Sequence, residues 1–321
     1  MFERVAVVGA GLIGGSIARR LQALQLMVTV VDPDATTIGA AAGLGLAVAD
    51  AVPADADLIV LAVPLDRVAE ALEQVAPAAP QAVVIDVGSV KQAPADAAEA
   101  AGLGERYVGC HPMAGTEHTG FEHSDERLLL GATWAVTHSG GIAETVRVVE
   151  WLAEHFEATV VVLEAEEHDR NVALVSHSPH AVAHALLAIV ERAPAPSVAG
   201  LLAAGSFRDG TRVAGRNAVR TFNMLAENAA ALGPVLDDLV AELTALRAEL
   251  DVPDALRARL EGVAAADGLV RHPDPDFTTC SSLSETIATA RADGAAIVVR
   301  RRAGSLEFAP TPYYPAGASS V

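Results

Sequence analysis

Lysine is almost absent from this chain of 321 residues: Lys91 stands alone, and arginine supplies the rest of the 22 basic side chains. Opposite them are 41 Asp and Glu, for a formal net charge of −19. Phosphate backbones and anionic lipid repel a surface of that sign, so neither nucleic acid nor a membrane is expected as a partner. Aromatic residues are scarce, with 7 Phe, 3 Tyr and 2 Trp, which leaves Ala, Val and Leu to build the core. Cys110 and Cys280 are too few for a disulfide framework and lack zinc-ligand spacing, so no metal is expected. The richest apolar stretches contain Asp, Glu or His, and none is expected to reach the length of a membrane span. Met1-Phe2-Glu3-Arg4 ahead of Val5–Val8 reads as the approach to a strand and not as a signal peptide. A cytoplasmic, reducing setting is the expectation.

What is present is a globular composition, 51% hydrophobic, at a length where a single core stops growing and two domains are expected. Short β-branched runs at Val5–Val8, Met27–Val31, Leu58–Val63, Val83–Val87, Tyr107–Cys110, Thr133–Thr137 and Val160–Leu163 read as strands. Ala-rich stretches such as Ile13–Gln25, Asp66–Val75 and Pro94–Ala101 read as helices between them. Such alternation predicts an α/β domain over residues 1–164, a doubly wound parallel sheet of Rossmann type. Residues 165–266 then read as all-α, with helices over Glu166–Arg192, Asn217–Leu232, Pro234–Leu250 and Val252–Ala265, punctuated at Pro194, Pro196 and Gly233-Pro234. The stripe Leu236, Leu239, Val240, Leu243, Leu246, Leu250 suits packing within one subunit or against a second copy. Residues 267–321 form a short C-terminal extension of unknown role, with a helix near Ser282–Ala292 and strands near Ala296–Arg301 and Ser305–Phe308.

Directly after the first strand, Gly9-Ala10-Gly11-Leu12-Ile13-Gly14 opens a helix. The three glycines serve a tight turn, close backbone approach to a pyrophosphate, and close packing of helix on strand. The second strand ends at Asp32, a carboxylate suited to ribose hydroxyls and repulsive to a 2′-phosphate. No arginine follows in Pro33-Asp34 to receive such a phosphate, so NAD is expected over NADP. Val63-Pro64 and Gly88-Ser89 close later strands, where ligands of such sheets lie.

Polar residues concentrate in a few segments: Gly88-Ser89-Val90-Lys91, His111-Pro112-Met113-Ala114-Gly115-Thr116-Glu117, His168-Asp169 with Ser176-His177-Ser178-Pro179-His180, and Phe207-Arg208-Asp209-Gly210-Thr211-Arg212. In this order they resemble the prephenate and arogenate dehydrogenases of tyrosine biosynthesis, over roughly residues 4–250. Ser178 departs from the leucine commoner there, and the tail has no counterpart. The resemblance implies NAD-dependent oxidation of the ring hydroxyl of prephenate with loss of the ring carboxylate, yielding 4-hydroxyphenylpyruvate. Within the same class, arogenate or an aminodeoxy analogue is the alternative substrate.

The resemblance further implies His111 as catalytic base, Ser89 as its hydrogen-bonding partner beside the cofactor, and Arg212 as the group that grips a substrate carboxylate. His177 and His180 would face the substrate. Arg208, Thr116, Glu117 and Asp209 would lie around the pocket, and Lys91 would support it. Cofactor contacts fall on Gly9, Gly11, Leu12, Ile13, Gly14, Asp32, Val63, Pro64 and Ser89. It also implies a homodimer formed through the helical domain. Imidazole suits the base because it titrates near working pH, and the guanidinium fork suits a carboxylate. His177, His180 and His184 share a helix face, but Pro179 disturbs the geometry a metal needs there. Two other classes are disfavoured. The β-hydroxyacid dehydrogenases use a lysine in the helical domain, which has none. A non-catalytic dinucleotide sensor has no need for Ser89, His111, His180 and Arg212 together.

Overall fold

A computed structural model describes residues 2–116, 118–214, 218–271 and 275–311. They form two compact units. The first takes residues 1–169, 215–227 and 277–321, as far as these are described, and the second takes residues 170–214 and 228–276.

The first unit is built on an eleven-stranded sheet in the order β3-β2-β1-β4-β5-β6-β7-β8-β10-β11-β9. The strands are β1 (Arg4–Val8), β2 (Met27–Val31), β3 (Ala47–Val48), β4 (Leu58–Leu61), β5 (Val83–Asp86), β6 (Tyr107–Pro112), β7 (Thr133–Thr137), β8 (Thr159–Leu163), β9 (Thr278–Thr279), β10 (Ile297–Arg302) and β11 (Ser305–Pro310). Helices α1 (Leu12–Ala23), α2 (Ala35–Gly43), α3 (Val68–Ala78), α4 (Gln92–Ala100) and α5 (Ile142–His155) connect them. Side chains alternate across the central strands. Val5, Val7, Leu58, Val60, Val83 and Ile85 belong to one apolar cluster, and Ala6, Ile59, Leu61 and Val84 to the other. Both faces are therefore dry, as a sheet covered by helices on two sides requires. Both tryptophans lie in the first cluster with Phe2, Phe121 and Phe156, and the ring of Trp151 packs edge-on against Phe2 and Phe156.

The expected parallel sheet holds from β3 to β6, but the whole sheet is mixed. β6 and β7 run antiparallel, with His111 opposite Ala135, because the connection between them carries no crossover helix, only a loop with a short 3₁₀ turn at Phe121–His123. The C-terminal segment joins the same sheet. β10 pairs antiparallel with β8, and the helix Leu283–Asp293 packs on α5. Arg300 pairs with Glu307 across β10 and β11 and lies over the Phe277 ring.

The remaining helices are α6 (Ala165–Val172), α7 (Ser178–Glu191), α8 (Pro196–Leu202), α9 (Gly205–Thr211), α10 (Ala218–Glu227), α11 (Ala229–Glu249), α12 (Pro253–Arg271) and α13 (Leu283–Asp293). A π-helical turn, Ala173–His177, links α6 to α7. It absorbs Pro179, whose missing N–H would otherwise interrupt the ladder at Val175. Residues Ala165–Glu191 are thus one helical run, long and apolar enough to cross a membrane by length and composition. That corrects the expectation that no run reaches this length; its first turns carry His168, Asp169 and Arg170.

A second correction concerns the expected break at Gly233-Pro234. The chain turns instead at Asn228, and α11 runs through both residues. Pro234 lies early in α11 and forfeits only one N–H, whereas the Asn228 side chain is buried and bonded within the second unit. The sequence reading placed 165–266 together and left 267–321 apart. In the structure α10 and residues 277–311 lie in the first unit. α10 buries Thr221 and Met224, and its Asn223 donates to Asp66 in the turn after β4 at 3.1 Å.

Candidate active site

Gly9, Asp32, Val63-Pro64, Gly88-Ser89 and His111 all lie at or just past the carboxyl ends of β1, β2, β4, β5 and β6. The first turn demands its glycines. Gly9 has φ +88°, and a Cβ there would lie 2.6 Å from the Ala62 carbonyl oxygen. A Cβ on Gly14 would meet the Gly9 carbonyl oxygen at 1.9 Å. Gly11 differs: among the described residues, none apart from its chain neighbours lies within 4 Å of its Cβ direction. It stands at the N-cap of α1 with no side-chain cap, so the first N–H groups of the helix are left for an anion. Asp32 is held at the end of β2, its Oδ2 accepting the Ala10 N–H at 2.7 Å and its Oδ1 the Asp34 N–H at 2.9 Å. An open glycine at a helix N-terminus and a fixed carboxylate one strand away fit a dinucleotide. Leu12 is buried under this turn, and Ile13 packs against the core beside it.

His111 lies on β6 two residues past the last β5 pairing, Asp86 with Gly109, and its ring is half-buried. Its Nδ1 is 2.9 Å from Nε2 of His168. The two rings meet edge to face, with centroids 5.1 Å apart. His168 Nδ1 in turn faces Asp169 Oδ1 at 2.8 Å. Asp169 also accepts the Lys91 N–H at 2.8 Å and the Gln92 N–H at 2.9 Å, which places a carboxylate on the positive end of α4. Burial works against the charge on Asp169. The hydrogen bonds from His168, Gln92 and Lys91 outweigh it and hold the carboxyl below its ordinary range. For His168 burial prevails over the help of Asp169, and its pKa lies below the usual imidazole value. Sequence reasoning gave His168 and Asp169 no role, although the adjacent His-Asp pair in a polar segment was the available signal.

Beneath His111 lies a second, fully buried group. The Lys91 ammonium donates to Asp86 Oδ2 and, at 2.7 Å, to the Cys110 carbonyl. The Asp86 carboxylate also accepts the Tyr107 hydroxyl at 2.7 Å and the Gly88 N–H at 2.8 Å. Lys91 and Asp86 are both 0% exposed. Lys91 thus acts from inside, where its ammonium ties the turn after β5 to the strand that carries His111. Burial pushes the Cys110 thiol up.

The other expected residues fall as follows. Ser89 is partly exposed in the turn after β5, and Thr116 is partly exposed, its Oγ1 accepting the His118 N–H. Glu117 lies outside the described residues. In the second unit, Arg208 and Asp209 are exposed on α9, Arg212 is exposed at its C-terminus, and His180 is partly exposed on α7. His177 is 0% exposed, and its Nδ1 is 2.9 Å from Asn228 Nδ2 within the second unit.

Fold and turn together define a dinucleotide-dependent oxidoreductase. The family can be stated as well. Residues 17–165 match the model of the prephenate dehydrogenase nucleotide-binding domain, and residues 164–260 match that of the prephenate dehydrogenase dimerization domain. A cyclohexadienyl dehydrogenase of Zymomonas mobilis is 32% identical over 268 residues, 79% of this chain and 90% of the relative. A prephenate dehydrogenase of Aquifex aeolicus, solved with hydroxyphenyl propionate and NAD+, superposes with a TM-score of 0.75 at 26% identity, covering 83% of this chain and 97% of that one. The arogenate dehydrogenase of Synechocystis gives 0.72 at 28% identity, covering 83% of this chain and all of that one (100%). The chain belongs to the prephenate dehydrogenase family and is an NAD-dependent dehydrogenase.

Proposed function

We propose that this chain carries out the oxidative decarboxylation of prephenate, with His111 as the base that receives the ring hydroxyl proton. The observation that carries this is the position of His111, a half-buried imidazole beyond the turn after β5 at the carboxyl edge of a sheet whose first turn fits NAD. NAD, when bound, supplies the acceptor for the hydride leaving the carbinol carbon. His111 takes the hydroxyl proton as the O–H electron pair becomes the carbonyl π bond. The bond to the ring carboxylate then breaks and CO₂ departs; its electron pair completes the aromatic ring as the carbonyl π pair returns to oxygen, which regains a proton from the His111 imidazolium to give the phenol. Ser89 hydrogen-bonds the hydroxyl and holds it toward His111. Arg212 grips a substrate carboxylate, with His180, Arg208, Thr116 and Glu117 as further polar contacts.

The reading includes a homodimer. Val240 and Leu243 on α11, Leu250 just past its end, and Leu260 and Val263 on α12 are all more than half exposed, and such a face on helices of the second unit is best covered by its own copy. Cys110 and Cys280 are free thiols, which suits a reducing cytoplasm.

The test is NADH absorbance with prephenate and arogenate, each with NAD and NADP, and with tyrosine added in parallel. Reduction of NAD with neither substrate overturns the reading. His111→Asn is expected to lower turnover ~10²–10⁴-fold at unchanged NAD affinity, and Arg212→Ala to raise KM.

A further inference from the structure

We propose that His168 and Asp169 are positioning residues that fix the tautomer of His111 and leave Nε2 as its proton-accepting nitrogen. The inference rests on the reading of His111 as the base and follows from counting protons along one chain of contacts.

Asp169 is the fixed end. An ionised carboxylate only accepts, and here two backbone N–H groups at the start of α4 already point into it, from Lys91 and Gln92. The 2.8 Å contact between Asp169 Oδ1 and His168 Nδ1 therefore requires a proton on that nitrogen. A neutral imidazole with its proton on Nδ1 has a lone pair on Nε2. That lone pair faces His111 Nδ1 at 2.9 Å, so His111 must carry its own proton on Nδ1. The remaining nitrogen of His111, Nε2, then has the free pair a base needs. Reverse any proton in the series and two donors, or two acceptors, face each other in a buried site, which costs the desolvation of both.

The same series helps once His111 has taken the substrate proton. The imidazolium then donates through Nδ1–H to His168, whose Nδ1–H remains on the Asp169 carboxylate, so a buried anion lies two contacts from the new cation. Among the described residues, Lys91 and Asp86 are further charged groups that act on His168. They neutralise each other across their buried bridge. A His–His–Asp arrangement thus orients the base and stabilises its charged form without touching substrate.

The test reads protons directly. In full-length protein labelled with ¹⁵N-histidine, long-range ¹H–¹⁵N spectra, assigned with His111→Asn and His168→Gln, report which nitrogen of each ring is protonated. The expected result at neutral pH is Nδ1–H on both His111 and His168. A neutral His111 protonated on Nε2 in the wild type overturns the proposal. In turnover, His168→Leu and Asp169→Ala should each lower kcat ~10–100-fold, the usual loss when a supporting hydrogen-bond partner of a site group is removed, with KM little changed and the acid limb of the rate profile moved to lower pH. His168→Gln, whose amide oxygen can accept from His111 Nδ1–H, should recover most of the rate lost in His168→Leu. Equal loss in the two variants, or an unmoved acid limb, also overturns it. The two readings fail separately: normal turnover in His111→Asn removes the base, whereas the wrong tautomer alongside a slow His111→Asn removes only the positioning role.

Discussion

Gly14 sits against Gly9 so closely that a Cβ on the first would fall 1.9 Å from the carbonyl oxygen of the second. Helix α1 can approach β1 and β4 only without that carbon. Gly14→Ala must push the helix away, and it is expected to lower thermal stability and weaken NAD binding together. Gly11→Ala separates the two effects, because among the described residues none apart from its chain neighbours comes within 4 Å of the added carbon. Its melting temperature should match the wild type while NAD affinity falls tenfold or more, about 1.4 kcal/mol. Calorimetric titration with NAD beside thermal melts makes the comparison; unchanged affinity in Gly11→Ala would show that no dinucleotide approaches there.

The buried pair of Lys91 and Asp86 should reveal itself in stability. Removing one partner strands the other charge in a dry interior, at a cost of roughly 3–5 kcal/mol. Lys91→Met is therefore expected to lose about that much in urea unfolding. Adding Asp86→Leu to the same protein should restore part of it, because the stranded carboxylate is gone. A Lys91→Met protein as stable as the wild type would mean that the ammonium is solvated in solution.

His138 gives a dependence on acid whose sign is fixed. Burial, with Arg291 nearby, lowers its pKa to about 4 from an ordinary 6.5, so between those values the unfolded chain binds a proton that the folded chain refuses. Stability accordingly falls as pH falls through this window. His155 and His168, also displaced downward mainly by burial, add to the same slope. His138→Leu should make the decline between pH 6.5 and 4 shallower by the equivalent of about one bound proton, and run parallel to the wild type above pH 7. Denaturant titrations at several pH values check it, and identical slopes would contradict the assignment.

The central strands were legible because a strand buried on both faces is an unbroken β-branched run, as in Leu58–Leu61 and Val83–Asp86. The glycine turn was legible because its constraints are local. Direction was not: nothing in Thr133–Thr137 tells that it runs antiparallel to β6, which depends on what the intervening loop leaves out. The polar residues behaved similarly. The sequence placed Lys91 near the site, but a five-residue separation from Asp86 cannot reveal that the ammonium turns inward. His168 and Asp169 stood in a polar segment, yet their use depends on a meeting with His111 from 57 residues away. At Gly233-Pro234 the local breaker signal lost to a buried contact, the one between Asn228 and His177.

The pairing of β10 with β8 also sets an order of events at the ribosome. β8 ends at Leu163, and its outer neighbour begins only at Ile297, so every residue of the helical unit is synthesised while β8 still offers a bare row of N–H and C=O groups. An unpaired strand edge is a template for other chains. A nascent molecule is thus exposed to mispairing for the whole time the second unit is being made, and β10 closes that edge only afterwards. A chain stopped short of Ile297 is expected to aggregate during expression even though its nucleotide turn, His111 and the helical unit are all present.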